Sequence, residues 1–135
     1  MGTLRIFAGD RLGLFKVMAG ASALKPETLA RNTSTHPRII KEWLAAQAAG
    51  GIFTYNHDGT NILTEEQAFA LTDETSPAYI AGGYQILAGL FKDEEKIIEP
   101  FLTGKGLGWG DRHHYLFQGT ERFFKSNYVA NLTAN

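Results

Sequence analysis

Between Gly108 and Phe124 the chain reads GWGDRHHYLFQGTERFF, a segment whose residue types suit three kinds of chemistry. Asp111 and His114 stand three apart, with Glu121 farther on, so a carboxylate–imidazole metal site is conceivable. Adjacent histidines do not chelate one ion as an i, i+4 pair does, because neighbours on a helix project about 100° apart. With no third local ligand, no metal set is assigned. A histidine could act as a general base near neutral pH, yet no Ser or Cys nucleophile stands near His113 and His114. No catalytic group is assigned either. The third use is contact with a bound organic molecule. Trp109 and Phe117 offer stacking surface, His113 and His114 offer hydrogen bonds, and Tyr84 joins from an earlier apolar segment.

The GKGLGWG stretch just before these residues is rich in glycine. It lacks the Gly-Lys-Ser/Thr ending of a phosphate loop and does not connect a strand to a helix, so it reads as a hinge.

What must position these residues is a chain of 135 residues, the length of one domain, with 44% hydrophobic residues and a formal charge of −1. Such a charge creates no field for nucleic acid or an anionic membrane. Cysteine is absent, which excludes disulfides, thiolate nucleophiles and Cys-based zinc sites. No apolar run reaches the roughly 18 residues of a membrane span. Asp10 and Arg11 interrupt the early apolar stretch, so it does not read as a signal peptide, and Ile6 stands where myristoylation wants Ser or Thr. A cytoplasmic protein is expected.

Apolar residues from Leu4 to Met18 predict a buried helix over residues 3–19, despite Gly9 and Gly13. Pro26 to Arg31 predicts a short second helix, followed by a turn at Asn32, Thr33 and Ser34. THPRIIKEWLAAQAAGG predicts a longer helix with Thr35 as N-cap and the Gly50–Gly51 pair as its stop. Ile40, Trp43, Leu44 and Gln47 share its inner face. IFTYNHDGTNIL predicts a hairpin turning at Asn56 to Gly59. Thr64 and Gln67 form a capping box for a short helix through Leu71. Ser76–Pro77 then signals the start of a long helix, apolar on almost every side up to Phe91 and bent near Lys92 to Glu94. A last helix is expected from Leu116 to Asn131.

The expected fold is therefore mainly α: a winged helix-turn-helix with a small β-hairpin over 1–75, then a long apolar helix and a C-terminal helix over 76–135. A helix without a polar side must be covered all round, which one small winged domain does not do alone. Duplex DNA is a poor partner. The outward face of the long helix offers Arg38 and Lys41 beside Glu42, and the Asn56-His57-Asp58-Gly59 wing tip carries an acid and no Lys or Arg.

GDRLGLFKVM, the THPRIIKEWLAAQAAGG helix with its IFTY strand, SPAYIAGGYQ and WGDRHHYLFQGTERFFKSNYVANL occur in that order. Together they resemble the N-terminal region of class I S-adenosylmethionine-dependent methyltransferases, in which a winged-helix domain precedes a Rossmann-like catalytic domain. The resemblance runs from Arg11 to Leu132. It implies a winged helix that makes a homodimer and closes one side of the pocket for a small-molecule acceptor. The cofactor would be S-adenosylmethionine in the parent enzyme. No counterpart of the family's glycine-rich cofactor strand–loop–helix occurs here, so this chain would hold no cofactor and depend on a catalytic domain in the same or another chain. The alternative expectation is a winged-helix DNA-binding transcriptional regulator; a small ligand-binding module with histidines in its pocket is a third.

Overall fold

The run expected as one buried helix over residues 3–19 is two helices in the computed structural model, which describes residues 2–133. Met1, Ala134 and Asn135, which the two expected segments include, lie outside the described residues. Helix α1 (Gly2–Arg11) ends where Gly13 takes a left-handed φ of 71°, and α2 (Leu14–Met18) starts afresh. That break turns Leu14, Phe15 and Met18 inward, where all three are buried. Gly9 stays helical for a different reason. A Cβ there would stand 2.5 Å from the Trp43 ring and 2.6 Å from Phe15.

Helix α3 (Pro26–Thr33) begins on proline and ends at Ser34, whose φ of 54° turns the chain into α4 (Pro37–Ala49). The N-cap of α4 is His36, not Thr35: His36 Nδ1 accepts from the Arg38 N–H at 3.3 Å. Thr35 is instead engaged by Thr33, with the two hydroxyls 2.8 Å apart. Ile40, Trp43, Leu44 and Gln47 are all buried, as their spacing predicts. Phe15, Trp43 and Phe53 pack mutually with ring centroids 5.4–5.9 Å apart, and Trp43 Nε1 donates to the Arg5 carbonyl at 2.9 Å. This aromatic knot is the centre of the core.

Strands β1 (Thr54–Tyr55) and β2 (Asn61–Ile62) pair antiparallel, Thr54 opposite Ile62, across the Asn56–Gly59 turn. Leu24 adds a third rung by exchanging backbone hydrogen bonds with Asn61. Helix α5 (Glu65–Thr72) carries the complete capping box of Thr64 and Gln67. Helices, hairpin and order together make a winged helix-turn-helix.

The Ser76–Pro77 signal does not start a helix. Ser76 Oγ accepts from the Ala78 N–H at 3.0 Å and closes only a turn, and α6 begins at Ala81 (Ala81–Lys92). The expected bend is a full break at Asp93, after which α7 runs from Glu94 to Thr103. Helix α8 (His114–Thr133) returns along α6. The two meet through glycine. A Cβ on Gly82 would lie 2.7 Å from the Phe123 nitrogen, one on Gly89 2.9 Å from the Leu116 nitrogen, and one on Gly119 2.8 Å from the Ile86 nitrogen. Helix α6 also packs on α1, joining the two halves. It is not covered all round, since Leu87 and Phe91 remain exposed. Among the described residues no helix is long and apolar enough to cross a membrane.

Candidate functional site

After α7 the chain leaves through Gly104, whose left-handed φ of 71° ends the helix, and a single tight turn over Trp109–Asp111 precedes α8. That turn presents Trp109, which is 60% exposed. Its ring stands edge-on to Phe117, with centroids 5.2 Å apart at 75°. From this pair an open groove of about 550 Å³ follows one face of α8, past Phe124, Tyr128 and Leu132, with Glu121 and Lys125 at its sides. Phe117, Glu121, Phe124, Tyr128 and Leu132 share that face through steps of three or four residues.

His113 and His114 occupy the start of α8. Their rings stack at 4.2 Å and 29°, and both meet the Tyr115 ring edge-on, at 4.6 and 4.7 Å. His113 Nδ1 accepts from the Tyr115 N–H at 3.2 Å, the geometry of an N-cap. The His113 N–H donates to Asp93 Oδ2 at 2.7 Å. Burial, then the neighbouring His114 and Lys92 charges, hold the His113 imidazole below its ordinary value. Asp93 is 1% exposed. The His113 N–H, and then Lys96 at 3.6 Å, hold its carboxyl below the usual range. Lys96 also donates to the Asp111 carbonyl at 2.6 Å, which ties α7 to the Trp109 turn. Among the described residues no group of three or more His, Asp or Glu could hold a metal ion.

Of the five contact candidates, Trp109 and Phe117 share the groove, and His113 and His114 share the helix start just before Phe117. Tyr84 lies elsewhere. It packs against the winged-helix core and is not part of the groove wall. What the arrangement can do is accommodate a flat, apolar molecule against aromatic rings, with the exposed His114 the freer of the two imidazoles.

The residue that sequence reasoning missed is Arg122. It reaches from α8 to α1 and grips Asp10 with two hydrogen bonds of 2.9 and 2.8 Å. It also donates to Glu74 at 3.1 Å, to Gln85 at 2.7 Å and to the Tyr79 hydroxyl. Hydrogen bonds to Asp10 raise the Arg122 pKa above its ordinary value, and burial pushes the Tyr79 phenol up to about 12. Asp10 lies 112 residues before Arg122, and no local pattern reports such a pairing.

The family model for the Rv2258c-like winged HTH domain matches residues 2–73, more than half of the chain. The chain belongs to that family. The Rv2258c-like winged HTH match covers α1 to α5 and the wing, and a second likeness extends past it. The solved structure of the mitomycin 7-O-methyltransferase MmcR superposes with a TM-score of 0.68 at 20% identity, over 97% of this chain. It therefore takes in α6 to α8 and establishes a common fold. This chain spans 41% of that methyltransferase's length. Comparison with curated proteins finds no match.

Proposed function

We propose that this Rv2258c-like winged HTH chain is the N-terminal dimerisation and substrate-recognition region of an S-adenosylmethionine-dependent methyltransferase, without catalytic power by itself. One observation carries the reading: 97% of the chain follows the fold of part of an O-methyltransferase, well beyond the winged helix. Two physical features support it. Phe91, Ile98, Phe101 and Leu102 expose apolar surface on consecutive helices, a pattern that marks association. The Trp109–Phe117 groove offers an aromatic wall for an acceptor molecule.

In this reading no residue of the chain is assigned to the cofactor. Among the described residues the strands are a two-residue pair, and the glycine-rich stretch follows α7 rather than a strand. A catalytic domain would bring S-adenosylmethionine, which supplies an electrophilic methyl group. The contribution of this chain would be to hold the acceptor, exclude water and orient it, because displacement depends on alignment of the reacting atoms. The DNA-binding reading gains nothing from the geometry. Arg38 is ion-paired with Glu42 at 2.9 Å, and Asp58 sits at the wing tip.

Calorimetric titration of the chain with S-adenosylmethionine is expected to show no binding, and sedimentation is expected to show a dimer. Micromolar cofactor affinity would overturn the first half of the reading, and a persistent monomer the second.

A further inference from the structure

We propose that His113 is a proton-sensitive latch, which holds the start of α8 and the Trp109 turn in place while neutral and releases them when protonated. This goes beyond the methyltransferase reading and does not depend on it. The latch has two contacts on one residue: the ring Nδ1 accepts from the Tyr115 N–H at 3.2 Å, and the backbone N–H donates to the buried Asp93 carboxylate at 2.7 Å. An imidazolium has no lone pair on Nδ1. Protonation would set an N–H against the Tyr115 N–H and place a cation at the positive end of a helix dipole, where an acceptor or an anion is favoured.

The charged groups around the ring agree with that direction. Lys92 faces it from α6, Lys96 from α7 and His114 from α8, while Asp93 at the α6–α7 junction opposes them. Tyr115 presents its ring edge, its own hydroxyl being held by Arg11 of α1. Asp93 is already engaged by the His113 N–H and by Lys96, and the Asp111 carbonyl takes the same lysine. Burial and these cations depress the native imidazole below 6.5, so the unfolded chain binds more protons once the pH falls through that value. The anchorage is then complete above 6.5 and declines below it. The consequence would reach the groove, since Trp109 precedes and Phe117 follows the latch along the chain, and release would free their edge-on pair to part.

Amide hydrogen exchange by NMR tests this on the whole chain, at about pH 7.5 and about pH 5 with intrinsic rates corrected. Tyr115 protection is expected to fall about fivefold on acidification, the equilibrium worth of one helix cap. In His113→Asn, whose side-chain oxygen accepts at either pH, the same ratio is expected to stay near unity. A Tyr115 loss that persists in His113→Asn, or an unchanged ratio in the natural chain, would overturn the latch. If the variant does not fold, the natural chain still decides. The His113 ring and the Trp109 indole signal must titrate with one midpoint below 6.5, and separate midpoints would sink the proposal.

Discussion

Phe15, Trp43 and Phe53 meet ring to ring at the centre of the winged-helix half, whereas α6 and α8 meet backbone to backbone at Gly82, Gly89 and Gly119. The first arrangement buries large side chains, with the polar Gln47 and Asn61 enclosed among them. The second gains close van der Waals contact but buries little side-chain area, because glycine has none to bury. Tyr115 and Leu116 are buried beside the seam, but many of the large apolar side chains of the helical half point away from it. Leu87, Phe91, Phe101, Phe124, Tyr128 and Leu132 are exposed. One half is built around its own core; the other leaves large apolar side chains exposed. The open groove beside the Trp109 turn is lined by Trp109 and α8 and lies off the glycine seam.

The largest effect is expected from Trp43→Ala. It removes the central ring and its hydrogen bond to the Arg5 carbonyl, with an expected loss of about 3–5 kcal/mol in denaturant unfolding. A loss under about 1 kcal/mol would mean that the stability of this half comes from elsewhere, and the contrast would fail.

Next in size is Arg122→Met, which attacks the link between the halves rather than either core. Asp10 is 6% exposed and would lose its two charged donors, a change expected to cost about 3 kcal/mol. Tyr79 and Glu74 would lose the same partner. The halves should then melt apart, with Trp43 emission reporting one transition and helical circular dichroism spread over two. A single shared transition in the variant would place the coupling in the α1–α6 contact alone.

How much of this was legible in the sequence follows the same divide. Ile40, Trp43, Leu44 and Gln47 announced themselves by local spacing, and Thr64–Gln67 by a three-residue motif, because both signals lie within one helix. The hairpin turn was equally local. Where local rules competed, they misled. Gly13 reads as a tolerated glycine in a helix but supplies the left-handed residue that ends α1. Ser76–Pro77 has the residues of a helix start, yet the next residues bring Tyr79 to Arg122 and Ile80 N–H to the Ala70 carbonyl, so α6 waits until Ala81. Thr35 has a good capping side chain that Thr33 occupies first. In the candidate site, Trp109 and Phe117 were grouped by residue type and proximity, and the structure sets their rings side by side. Tyr84 was grouped with them by type alone, and its position on α6 carries it into the other core. The Arg122 cluster had no local trace, since its partners stand 37 to 112 residues away.

The smallest effect on stability and the sharpest test of the contrast come from Phe101→Asp with Leu102→Asp. These side chains are 84% and 82% exposed, and none of the residues of α7 is buried. Within a single copy there is nothing for them to lose, so unfolding free energy should move by no more than about 0.5 kcal/mol. Between copies the outcome differs in kind. A carboxylate moved into an apolar interface loses its water without gaining a partner, and each costs several kilocalories per mole when fully buried. Sedimentation of the double variant should therefore shift towards monomer, while at a dilution where the natural chain is also monomeric the two melting curves should coincide. A dimer that survives both aspartates places the contact on α8 instead, around Phe124 and Tyr128. A melting curve that collapses at that same dilution would show that α7 packs within its own chain, and the helical half would then be a core like the first.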